Sequence, residues 1–234
     1  MERPPNRPAL AAILLLGAFA LSAGGCAVRP FSGDAPADWA PSGAAVPPHG
    51  CPDLTGVYAN RPADVHPRST ARSLPLHEVF GLEGQGVGVF SVRDDDHPWP
   101  TLKSAATVSF ALDADSLRAR FRDESAGEAV LEFHRVALFA SDREWDAYYH
   151  CWDTEFGPAL RFPGPRTAVG GVPGVYGELD LGIVSLFRGT DGALIVNYRT
   201  DRHRFTAPPH GTGGSQVRTI GSTWWRYPPA PRNP

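Results

Sequence analysis

From Cys51 to about Tyr227 the sequence predicts one mostly β domain, an antiparallel sandwich or barrel-like meander with one or two short helices. Three observations predict it. Apolar residues alternate with polar ones over short runs, the period of a half-buried strand. Turn-forming residues interrupt those runs at regular intervals. The stretch holds about 177 residues, enough for one core and too few for two comfortable domains.

The elements follow in order. Leu54-Thr-Gly-Val-Tyr58 opens the domain as a strand. Leu74–Leu82 fits a short helix after Pro75, and Val87–Val92 is short and β-rich. Thr107–Leu112 alternates with Val108, Phe110 and Leu112 on one face, and Asp113-Ala-Asp115 turns the chain. Ser116–Arg122 then places Leu117, Ala119 and Phe121 inward. Glu124–Gly127 turns again, and Ala129–Leu138 continues the meander. Ser141-Asp-Arg-Glu144 fits a capping box, yet Trp145, Ala147, Tyr149 and Cys151 alternate like a strand; one helical turn leading into a strand satisfies both. Ile183–Arg188 and Ala193–Arg199 flank Gly189-Thr-Asp-Gly192, whose Asp-Gly marks a tight hairpin. Thr223–Tyr227 is the last strand, and residues 228–234 are expected to form a loose tail.

The N-terminus has a different composition. Arg3 and Arg7 form a basic start, and Leu10–Leu21 is an apolar run of 12 residues. A bilayer-spanning helix needs about 20 apolar residues, so this run suits the core of a secretory signal instead. Ala23-Gly24-Gly25-Cys26 then resembles the bacterial lipobox, departing from it at Ala23, where that family prefers leucine. The resemblance implies removal of residues 1–25 and lipidation of Cys26. A single chain anchors weakly and two or three anchor stably, at about 0.8 kcal/mol per buried CH₂. In lipoproteins an aspartate just after the cysteine signals inner-membrane retention. Ala27 and Val28 follow here, which points to the outer membrane and a periplasm-facing domain.

Residues 26–50 hold five prolines, three glycines and six alanines without apolar periodicity, the composition of an extended tether. As a random coil it would span roughly 27 Å. Removing Glu2, Arg3 and Arg7 moves the formal net charge from −3 to −4, which argues against nucleic acid and against a polybasic membrane surface. With Cys26 acylated, Cys51 and Cys151 remain, and two cysteines in an oxidising compartment most simply pair. The alternative is a catalytic or metal-binding thiol. No CxxC supports it, and His150, adjacent to Cys151 in a strand, faces the opposite side.

Cys51-Pro-Asp-Leu-Thr-Gly-Val-Tyr58 resembles the opening of small bacterial envelope lipoproteins, which begin with a cysteine, a DL[ST]G segment and an aromatic. Gly56-x-Tyr58 is also similar to the G-x-W that opens lipocalins, a likeness of three residues that implies a barrel with an apolar ligand cavity.

Catalytic signatures are missing from the sequence. It contains no GxSxG elbow, no HExxH and no P-loop. Gly84-x-Gly86-x-Gly88 has Val89 at the place of a third glycine and reads as turn glycines. Asp113-x-Asp115 with Glu124 imitates the ends of a calcium loop, but Leu117 and Arg118 stand where an oxygen ligand and a glycine are required. Asp94-Asp-Asp96-His97 is the densest acidic cluster and reads first as a solvated loop. His66, His77, His134 and His210 lack ligand-like spacing. No metal and no cofactor are therefore expected.

The candidate binding residues are aromatic and basic. Trp145, Trp152, Trp224 and Trp225 can stack on sugars or apolar ligands, and Arg199, Arg202 and Arg204 can hold phosphate or carboxylate. The expected function is a non-catalytic, membrane-anchored envelope lipoprotein that binds an envelope protein, a glycan or a lipid. A lipocalin-like carrier of an apolar molecule is the first alternative, and an envelope hydrolase with a non-standard site the second.

Overall fold

The computed structural model describes residues 35–36, 38–39, 50–67, 71–82, 102–123, 127–136, 148–154, 156–172, 176–206 and 215–231. Cys26, Trp145, the Val87–Val92 run, the Asp94–Asp96 cluster, His97 and His210 lie outside these residues. Among the described residues no helix is long and apolar enough to cross a membrane.

The chain is mostly β, as its alternation predicts. Ten strands and one short helix are described: β1 (Gly56–Ala59), β2 (Asp64–His66), α1 (Leu76–Val79), β3 (Thr107–Leu112), β4 (Ser116–Arg122), β5 (Glu128–Arg135), β6 (Tyr148–Thr154), β7 (Gly157–Val172), β8 (Tyr176–Arg188), β9 (Leu194–Thr206) and β10 (Ser215–Tyr227). They form one sheet in the order β1-β3-β4-β5-β6-β7-β8-β9-β10-β2. Every pairing is antiparallel except β5 with β6, which run parallel at His134↔Tyr148 and Arg135↔Tyr149. About a dozen residues separate those strands, the length a parallel crossover needs.

The ladder is not closed, but its ends meet. Tyr58 bridges Pro229. The Ala59 N–H donates to the Pro228 carbonyl at 2.9 Å, and the Ala230 N–H to the Val57 carbonyl at 2.8 Å. The fold therefore continues past Tyr227, and residues 228–230 are docked instead of loose.

One core fills the space between the halves of the sheet. Val108 and Phe110 of β3, Leu117 and Phe121 of β4, and Leu131 and Phe133 of β5 face Leu160 and Phe162 of β7, Leu186 of β8 and Val196 of β9. The residue after α1, Phe80, sits among them. Its ring centroid lies 5.5 Å from Phe121, 5.9 Å from Phe133, 6.0 Å from Phe110 and 6.3 Å from Phe162. Three buried aromatics have their polar tips satisfied: Tyr58 Oη–H donates to the Leu54 carbonyl, Tyr227 Oη–H to the Leu74 carbonyl and Trp225 Nε1–H to the Arg72 carbonyl.

A four-residue helix cannot hold itself in place, and α1 has no side-chain cap of its own. Asn60 supplies one from β1's end. Its carbonyl accepts from the Leu76 N–H at 2.7 Å, and its Oδ1 accepts from the His77 N–H at 3.0 Å. These satisfy two of the donors that a helix start leaves open. Its Nδ2 donates to the Ala105 carbonyl at 2.8 Å, tying the helix to the start of β3. Asn60 is buried, so Asn60→Ala would strand the His77 N–H and the Ala105 carbonyl, while the main-chain bond to Leu76 remains, and is expected to cost about 1–3 kcal/mol. Urea denaturation checks this: an unchanged midpoint would mean that Asn60 does not hold α1.

Cys51 and Cys151 form a disulfide, with Cα atoms 5.0 Å apart and a separation of 100 residues. It joins the segment before β1 to the middle of β6. Earlier in the chain, the Trp39 N–H donates to the Pro36 carbonyl at 2.9 Å, and the indole is only 7% exposed. Part of the proline-rich stretch thus makes a local turn that buries a tryptophan.

Candidate functional site

Strand register decides which candidate residues meet. Directly paired residues in an antiparallel sheet point to the same face, with Cβ atoms about 4.5–5.5 Å apart. On β6–β10 one such row runs His150–Arg161–Ser185–Asn197–Trp224. It lies on the face away from the core. Two residues along toward one end of the strands, on the same face, come the pair Trp152–Ala159 and the run Phe187–Ile195–Arg226. Two residues in the other direction come Ile183, Arg199 and Ser222.

This face thus gathers Trp152, Arg199 and Trp224 from the sequence-predicted set. Arg202 and Arg204 fall on the opposite face. Arg202 makes a two-point contact to Asp180, at 2.8 and 2.9 Å, which holds that carboxyl below its ordinary pKa. Arg204 Nε stands 3.3 Å from Glu178. Trp225 belongs to the core. Trp145 lies outside the described residues.

Around the row, apolar and polar groups are layered. Phe156 and Phe187 pack on Trp224, with ring centroids at 5.3 and 5.8 Å. The Arg161 guanidinium lies 5.0 Å from the centre of the Trp152 ring, a cation–π contact, and His150 meets the same indole edge-on at 6.1 Å. Arg199 is paired with Asp201 at 2.8 Å, both nearly buried. Ser185 and Asn197 are fully buried. Asn197 Nδ2 donates to Ser222 Oγ and to the Thr223 carbonyl, but among the described residues Asn197 Oδ1 and Ser185 Oγ have no hydrogen-bond partner.

The electrostatics follow from this packing. Burial, with a smaller contribution from the Arg161 charge, pulls the His150 pKa down to about 4, so the imidazole is neutral at pH 7. Burial and the Arg199 charge lower Arg161 to about 10, against a smaller opposing effect of Asp201. Arg161 stays protonated. Among the described residues it has no carboxylate within ion-pair distance. Among the described residues the row therefore carries a positive charge outside any ion pair, beside two polar atoms without a hydrogen-bond partner.

Sequence reasoning missed Arg161, Ser185 and Asn197. Arg161 sits in a Gly/Pro-rich segment that does not look like a strand. Asn197 interrupts the apolar run Ala193–Val196, and a continuous apolar run marks a strand covered on both faces, so that signal was available. Beyond the row, Phe205 and Val217 on this face stay exposed, at 44% and 46%.

No group of three or more His, Cys, Asp or Glu among the described residues is placed to hold a metal ion. Compared with family models, with curated proteins and with solved structures, the chain finds no significant match.

Proposed function

We propose that this protein is a lipid-anchored lipoprotein of the bacterial envelope, and that its β domain binds a partner or ligand without catalysing a reaction. The observation that carries the binding reading is the Arg161–Trp152 row, where a charged, aromatic-flanked group has no ion-pair partner among the described residues. The anchor reading rests on the lipobox resemblance at Ala23–Cys26. The outer membrane is the proposed location, from Ala27 and Val28 after the cysteine. A carrier of apolar molecules is less well supported, because Phe80 and its four aromatic neighbours occupy the space between the sheet halves.

Two comparisons test the proposal. Cys26→Ala is expected to move the protein from the membrane fraction to the soluble envelope fraction; retention in the membrane would end the anchor reading. Crosslinking in intact cells, with mass spectrometry of the products, is expected to give a partner with the native chain that Trp152→Ala loses. Identical products from both chains would end the reading that this face binds.

A further inference from the structure

Past the core the sheet continues as a wing of four strand ends, residues 166–172, 176–182, 200–206 and 215–221. Among the described residues these pair only with one another. The wing has two edges, β7 on one side and β10 on the other. An edge strand presents alternate N–H and C=O groups to whatever lies beside it.

The β7 edge is blunted. Pro163 and Pro165 have no N–H to offer, and the register slips between Pro163 and Arg166 and again between Ala168 and Gly170. Beyond Pro163 no more than three consecutive residues keep one register with β8. The β10 edge is different. β2 covers it at Trp224–Arg226, and among the described residues no strand lies beside 215–223. Residues 215–219 run in unbroken register with β9 and contain no proline, glycine or lysine. All five are exposed, Val217 at 46%, and a Cβ added to Gly221 would meet nothing within 4 Å.

One open edge and one blunted edge restrict how copies of the chain can meet. Pairing β10 of one copy with β7 of the next would propagate into a fibre, and the β7 edge does not support it. Pairing β10 with β10 uses the open edge of both copies, runs the strands antiparallel and closes at two. About a twofold axis normal to the sheet, one residue must oppose its own copy. Full overlap of 215–219 makes that residue the midpoint, Val217. Val217 then meets Val217, Ser215 meets Thr219, and Gln216 meets Arg218 on the opposite face. Moving the axis one residue toward Thr219 would set Arg218 directly against Arg218, a like-charge pair. Moving it the other way shortens the overlap. The face of Val217 also carries Phe205, 44% exposed and stacked on His203 at 6.1 Å, so apolar surface runs up to the edge.

We infer that this protein forms a twofold dimer by antiparallel pairing of β10 over residues 215–219, with Val217 opposite Val217. The two wings become one continuous sheet. The contact is small, so the dimer belongs to the weak, concentration-dependent class. It does not use the Arg161–Trp152 row and stands apart from the binding reading above.

Cysteine pairing in intact cells tests partner and register together. Directly opposed residues have Cβ atoms about 4.5–5.5 Å apart, near enough for a disulfide after small adjustment. Val217→Cys in the full chain is expected to give a disulfide-linked species of two chains under mild oxidation. Val130→Cys on β5, 39% exposed, should stay single. Sedimentation of the unsubstituted full chain in detergent should show a reversible monomer–dimer equilibrium. Val217→Lys should weaken that dimer about tenfold or more, since it places two ammonium groups opposite each other. Val217 is exposed, so neither substitution is expected to disturb the fold. Absence of the Val217→Cys dimer, or an equal yield from Val130→Cys, overturns the inference. So does a Val217→Cys disulfide to a different protein, which would give the edge to another partner. A monomer at all concentrations, assembly beyond two chains, or a Val217→Lys dimer of native strength overturns it as well.

Discussion

A Cys51→Ser/Cys151→Ser variant will unfold at least 2 kcal/mol more easily than the native chain, and its melting temperature will fall by about 4–8 °C or more. The disulfide closes a loop of 100 residues. On the chain-entropy argument such a loop removes up to about 4.7 kcal/mol of denatured-state freedom. The measured loss should be smaller, because denatured chains keep residual structure. Denaturation of the oxidised and reduced native protein provides the same comparison without a mutation. Coincident curves would show that the pair contributes nothing, and two titratable thiols in the oxidised protein would show that it does not form.

Phe80→Ala should cost about 3–5 kcal/mol, the range for deleting a large aromatic from a core that cannot collapse around the gap. Phe80 touches both halves of the sheet: Phe110, Phe121 and Phe133 on one side and Phe162 on the other. Its helix is only four residues long, so the loss of the ring also removes most of what holds α1 against the sheet. Phe80→Leu should recover the greater part. A urea midpoint for Phe80→Ala within the error of the native value would show that the interior does not depend on this side chain. The variant also creates space, so an apolar dye that ignores the native protein should bind Phe80→Ala.

Much of the first half of the sheet was legible as pattern. Thr107–Leu112 and Ser116–Arg122 form strands with the expected ends, because polar and apolar residues alternate there without interruption and turn residues bound both. Gly192, in the left-handed region at φ +79°, sits in the expected hairpin turn. The Cys51–Cys151 pairing follows from counting cysteines. The second half was read only in part. β8, β9 and β10 extend well beyond Ile183–Arg188, Ala193–Arg199 and Thr223–Tyr227, because their far ends are polar on one face and exposed on the other.

β7 was not visible at all, since Pro158, Pro163, Gly164, Pro165, Gly170 and Gly171 look like a loop. The structure accommodates them locally. β6 stops pairing at Arg161, so among the described residues Pro163 and Pro165 fall where β7 has no neighbour on that side. A Cβ on Gly164 would stand 2.8 Å from the Gly182 backbone, so the glycine permits a close approach of β7 to β8. Register shifts absorb the remaining irregularity. The candidate site suffered most from this. Its central residue lies on the hidden strand, and pairing across β7, β8 and β9 cannot be derived from any one segment.

The disulfide also determines how the domain carries mechanical load. Tension applied from the N-terminal side enters at Cys51 and passes through a covalent bond to Cys151 on β6, deep in the sheet. The short edge strand β1 is thereby bypassed and is not peeled from β3 one hydrogen bond at a time. Extraction must instead shear β6 from β7, a step that breaks several ladder bonds together. Resistance to forced unfolding is set by the height of such a barrier rather than by equilibrium stability. A domain pulled by its leading segment would therefore hold longest in its oxidised form.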